Sequence, residues 1–241
     1  MNSVMQRPAF FLFLAIAAYS ATYVSALQTQ TPVSSVPVLQ GIDAAVEARE
    51  AELASYTVTE HYAVFRNQDQ DHPAAEMTVK TTYQRDFGKT YEVLSETGSD
   101  LLRKQVLDAI LDNERRLSQP VNRATAILTS ANYNMTVKGP DTIDGRSCVV
   151  VSLDPKRDSP YLFKGTIWVD AQDDSIVQLQ GTAAKSRSVL TGPAEVQRQY
   201  AKIGGFPMAT HVKAVSNSWL LGQTIIKIDY TDYAIVPRSA Q

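Results

Sequence analysis

The sequence predicts an α+β fold in which a long antiparallel sheet carries a few helices on one face. Three observations support this. Apolar and polar residues alternate with period two over most of the chain beyond residue 56. Glycine, proline and Asp-Gly punctuation separates those runs at hairpin spacing. Helical spacing is confined to one early segment and one central insertion, so runs of strands surround a run of helix and a βαβ repeat is excluded. A sheet of roughly eight or nine strands with so few helices must close into a barrel or curl over what covers it. A curled sheet with amphipathic helices in its concave face leaves an apolar hollow between the layers.

The first 26 residues read as a secretory signal peptide. Arg7 is their only charge, residues 10–18 are apolar, and Val24-Ser25-Ala26 places small residues at the −3 and −1 positions of a cleavage site. A spanning helix needs about 20 consecutive apolar residues, whereas Tyr19, Ser20, Thr22 and Tyr23 interrupt this run early. A cleaved signal is therefore expected, with the exported chain starting at Leu27 in the periplasm. Residues 27–37 carry two prolines among polar residues and read as a flexible lead-in. Residues 38–237 read as a single domain, with no internal repeat.

Within that domain, Leu39, Ile42, Val46 and Leu53 fall on one helical stripe with Arg49, giving an amphipathic helix over 38–54. The period then changes to two. Tyr56, Val58, Glu60, Tyr62 and Val64 alternate with Thr57, Thr59, His61, Ala63 and Phe65, and Met77, Val79, Thr81 and Tyr83 form the cleanest half-buried strand. Asp86-Phe87-Gly88 turns that strand into residues 89–97, completing a three-strand meander. Ser99 can cap a helix over 100–117 whose apolar face is Leu102, Val106, Leu107, Ile110 and Leu111. Pro120 opens a shorter helix expected over 120–132. Strands follow at 134–138, 147–153, 161–170, 175–181, 211–217 and 224–236. Asp144-Gly145 is a hairpin turn between the first two, and Gly192-Pro193 and Gly204-Gly205 punctuate the later ones.

The composition excludes several functions. Net charge is −2 over 241 residues, too slight and too mixed for nucleic acid as a partner. Cys148 is the only cysteine and sits in the apolar run Ser147-Cys148-Val149-Val150-Val151, as a small buried hydrophobe does. Gly88-Lys89-Thr90 ends like a phosphate loop, but Tyr83 stands where the first glycine is required. No Gly-x-Ser-x-Gly elbow occurs. His61, His72 and His211 are widely spaced, against a zinc site. Asp170, Asp173 and Asp174 lie in a loop too short for calcium. Glu60 and Asp229 are acids within strand-like runs, expected on the wet face or paired to Lys and Arg.

The second half carries a resemblance. Trp168-Val169-Asp170 followed by Asp173-Asp174-Ser175-Ile176-Val177-Gln178-Leu179-Gln180-Gly181 resembles a strand-turn-strand of the LolA/LolB-like periplasmic lipoprotein-carrier superfamily. Residues 143–149 and 226–233 are similar to its hairpins. The resemblance implies an incomplete antiparallel barrel with helices packed in its open side and a hydrophobic cavity for acyl chains. It also implies an outer membrane lipoprotein-sorting role without catalysis, cofactor or metal. Its partners would be a lipid or acylated protein, with room for membrane-bound donor or acceptor proteins. A second reading is a regulatory interaction module that senses envelope lipid. Alternation gives the inward-facing candidates for the cavity wall: Met77, Val79, Tyr83, Tyr91, Val93, Phe163, Ile167, Val177, Leu179, Ile226, Ile228 and Tyr230.

Overall fold

The computed structural model describes residues 35–67, 69–185, 194–218 and 222–239. The expected signal peptide, most of the expected lead-in and Gly192-Pro193 lie outside the described residues.

Helix α1 spans Ser35–Glu52, starting three residues before the expected boundary. Pro37 falls in its first turn, where a missing N–H has no partner to lose, so the lead-in stops short of residue 35. Leu53, expected on the helical stripe, instead opens strand β1 (Leu53–Arg66) and is buried beside Tyr56 and Phe206. Strands β2 (Ala75–Gln84) and β3 (Gly88–Gly98) complete the meander.

A helical segment then crosses the sheet. It comprises α2 (Asp100–Leu102), a π-helical stretch Arg103–Leu107 and α3 (Asp108–Ser118). Ser99 caps it as expected, its hydroxyl accepting the Leu102 N–H at 3.4 Å. The core residues Leu102 and Leu107 are five apart, a step that an α-helix would rotate away. The wider π turn keeps both on the sheet side. Helix α4 is only Pro120–Arg123, which corrects the helix expected to residue 132. The amide of Asn132 donates to the carbonyls of Ala124 at 3.1 Å and Ile127 at 2.9 Å, and the Thr125 hydroxyl donates to Asn122 at 2.6 Å. Side chains thus bind carbonyls that a continued helix would have bonded with its own amides.

Seven strands follow: β4 (Tyr133–Ile143), β5 (Arg146–Pro155), β6 (Phe163–Asp170), β7 (Ile176–Ala183), β8 (Glu195–Ile203), β9 (Phe206–Ser218) and β10 (Gly222–Pro237). Asp144 and Gly145 both take positive φ (50° and 79°), as the two-residue hairpin turn demands. All strands form one antiparallel sheet in the order β3-β2-β1-β10-β9-β8-β7-β6-β5-β4. Among the described residues it has ten strands rather than eight or nine, and its ends β3 and β4 do not pair, so no barrel closes.

The sheet curls, and side chains show how strongly. Glu114 on α3 holds Lys89 of β3 at 2.8 Å and Arg198 of β8 at 3.5 Å. Those strands are five places apart, roughly 24 Å in a flat sheet, and side chains stand perpendicular to a sheet rather than along it. Only a curved sheet brings both to one carboxylate. Three clusters of the core lie on the concave face, and a smaller one of Ala63, Phe65 and Ile225 lies on the other. Met77, Val79, Tyr62 and Ile228 pack with Leu102, Leu107 and Leu111. Ile42 of α1 packs with Tyr133, Val151, Ile167 and Leu179. Leu53, Tyr56, Tyr83, Phe206 and Met208 form the third. Cys148 is buried, and burial pushes its thiol pKa up.

Candidate functional site

Between the curled sheet and its cover of α1, α3 and residues 124–128 lie two adjoining hollows of about 270 and 290 Å³. Arg49, Glu114, Leu128, Arg198 and Tyr200 wall both. The second is lined by Leu117, Leu128, Phe163 and Leu179 together with Arg123, Asn113 and Ser118. The other is lined by Tyr56, Tyr200, Tyr230 and Tyr233 around Lys89. The apolar hollow expected between the layers is therefore corrected: charged groups and phenols occupy its middle.

Each charged group is aimed inward by the phase of its own element. Arg49 follows Leu39, Ile42 and Val46 along α1. Lys89 precedes Tyr91 by two on β3, and its amide is fixed by the Ser118 hydroxyl at 2.7 Å. Glu114 follows Ile110 and Leu111 on α3, and Arg198 lies between the half-buried Val196 and Tyr200 on β8. Arg49 donates to Glu50 at 2.9 Å and to the Pro207 carbonyl at 3.2 Å, and its Nη2 faces only the Met208 sulfur at 3.8 Å. Arg123 lies 3.5 Å from the other oxygen of Glu50, donates to the Tyr83 hydroxyl and stacks over that ring.

Electrostatics follow from this packing. Burial alone would lower the Lys89 ammonium, but Glu114, Tyr56, Glu60 and Tyr91 together outweigh it and hold its pKa well above the ordinary value. Lys89 in turn pulls the Glu114 carboxyl down to about 2 against its burial, with Arg198 assisting. Burial foremost pushes the phenols of Tyr62, Tyr91, Tyr230 and Tyr233 up. Glu60 is not on the wet face: it is 1% exposed, accepts a hydrogen bond from Tyr62 and leaves Oε1 without a partner. Its carboxylate acts on the Lys89 ammonium only through space, with no ion pair between them among the described residues. Asp229 does lie exposed, bonded to His211 at 2.7 Å.

The sequence-derived wall residues separate. Phe163 and Leu179 line the second hollow and Tyr230 the first. Met77, Val79, Ile226 and Ile228 pack solidly under α2 and α3, with Tyr91 against them. Tyr83 belongs to the third cluster, stacked on Tyr56 with centroids 5.0 Å apart, and Ile167 is enclosed beneath α1. Val93 is 48% exposed, because edge strand β3 has no neighbour beyond it. Val177 lines a separate surface recess with Ile143, Arg146 and Thr210, while Ile176 takes the inward position. An irregularity in the β6–β7 register at this point reverses the alternation. Arg49, Lys89, Glu114 and Arg198 were absent from those candidates, although each is a charge in phase with core residues.

No family model matches the sequence, and no curated protein matches it. Among solved structures the chain is similar to a LolA superfamily protein of Nitrosomonas europaea, with 12% identity, 87% of this chain and 96% of that chain covered, and a TM-score of 0.47. It is also similar to a putative outer membrane lipoprotein-sorting protein domain of Vibrio parahaemolyticus, with 9% identity, 80% and 90% covered, and a TM-score of 0.45. The likeness is to LolA-like folds: an open antiparallel sheet with few helices. Among the described residues no helix is long and apolar enough to cross a membrane.

Proposed function

We propose that this protein is an exported binding protein or carrier for an amphiphile of lipid type, taking an acyl chain into the space between sheet and helices. One observation supports the reading above all: a pair of adjoining hollows in which apolar walls at Leu128, Phe163 and Leu179 stand beside buried tyrosines and cations. Together their volumes reach the range of about 300–1,000 Å³ in which small-molecule sites lie. The electrostatics favour holding over chemistry. Glu114 is pushed down, and Lys89 and the tyrosines are pushed up. None of these groups is poised near neutrality as a general acid or base. The signal-like first 26 residues favour export, and the lipoprotein-carrier resemblance of residues 143–181 points to the same ligand class.

Lipid mass spectrometry of the protein purified from envelope fractions tests this, together with saturable uptake of a fluorescent fatty acid. Copurified acyl lipid and an uptake that Leu179→Asp abolishes in a folded variant are the expected results. A clean protein that takes up no acyl probe would refute the reading.

A further inference from the structure

We propose that the ligand's head is an oxyanion, a carboxylate or a phosphate monoester, held by Arg198 and Arg49, with its apolar body along Leu128, Phe163 and Leu179. This deepens the amphiphile-binding reading and rests on it. The first argument is donor supply. Arg198 meets Glu114 through Nη2 at 3.5 Å, but its Nε is buried with no acceptor. Arg49 Nη2 faces only a thioether at 3.8 Å, a weak acceptor. A buried guanidinium donor such as Arg198 Nε is seldom left unsatisfied, and both of these side chains wall both hollows.

The second argument is charge. Arg49, Lys89, Arg123 and Arg198 line the hollows against Glu50 and Glu114. The buried Glu60, whose charge acts on Lys89, still leaves one positive charge in excess. An ionised head entering here neutralises that excess, and it accepts from planar donors suited to carboxylate and phosphate. The third argument is direction. The two arginines line both hollows, so a head bound there has Leu128, Phe163 and Leu179 within reach of its tail.

Three probes with one chain length decide the matter on the delipidated full protein: hexadecanoate, hexadecyl phosphate and uncharged monohexadecanoylglycerol. At least one anionic probe should bind about tenfold or more tighter than the glycerol ester, the gain of a charge-assisted bond. The stronger of the two identifies the head. Arg198→Gln should remove most of that preference, and Arg198→Lys should restore part of it. The wild-type comparison needs no variant, so a misfolded mutant leaves the test intact. Equal binding of all three probes overturns the oxyanion site and leaves acyl binding standing. Binding of none overturns both.

Discussion

Replacing Glu114 by Gln keeps the shape of the side chain and removes the charge that holds Lys89 and Arg198 together across the curled sheet. The wild-type carboxyl is pulled from 4.5 to about 2 by Lys89 foremost. Because the folded pKa lies below the unfolded one, its contribution is complete above the unfolded value and disappears as pH falls through the folded one. A shift of that size is about 3 kcal/mol near pH 7 and about 1.5 kcal/mol near pH 3. The side chain is 23% exposed, so water in the hollow trims these figures without cancelling them. Removing one partner of a largely enclosed pair leaves the other charge uncompensated, which adds to the loss. Urea unfolding of wild type and Glu114→Gln, followed from neutral pH into acid, measures the difference. It should stay flat down to about pH 5 and then narrow between about 4.5 and 2. A variant as stable as wild type at neutral pH, or a difference that ignores pH, would refute this account of the ion pair.

Gly165 and Gly181 face each other across β6 and β7, and a Cβ on Gly165 would stand 2.1 Å from the Gln180 carbonyl oxygen. Gly165→Ala must push two strand backbones apart, and a loss of about 1–3 kcal/mol is expected, read as a lower urea midpoint. Cys148 is 1% exposed and its thiol is pushed up by burial. Native protein should therefore resist an aromatic disulfide reagent that labels it at once in concentrated urea, and rapid native labelling would contradict the buried placement.

Much of the fold was legible because local pattern and final packing agree. Residues 75–84 alternate in burial along their whole length, since one face meets the helices and the other meets water. Ser99 announced the crossing helix for an equally local reason: its hydroxyl occupies the cap that the sequence offered. Legibility fell where a distant side chain intervened. Asn132 ended the helix expected to run to its own position, and the β7 irregularity turned Val177 away. The site was half legible. Arg49 on the stripe of Leu39, Ile42 and Val46 is a charge where a core residue belongs, and Lys89 and Arg198 repeat that signal on strands. Their convergence on Glu114 was not legible, because it depends on curvature accumulated over six strands, which no local spacing encodes.

The pairing of β1 with β10 has a kinetic consequence. Tyr56 to Arg66 aligns with Ile235 to Thr224, so the middle of the sheet is a seam between the first and last strands of the described chain. Every other neighbouring pair of strands is consecutive in sequence and can form by short-range search. The seam alone must close a loop of nearly the whole domain, and such pairings are slow because chain entropy is lost before contacts repay it. Until it closes, β1 and β10 are bare edges carrying Tyr62, Val64, Ile226 and Ile228, open to pairing with another chain. The order in which this sheet is stitched therefore sets its exposure to aggregation during folding.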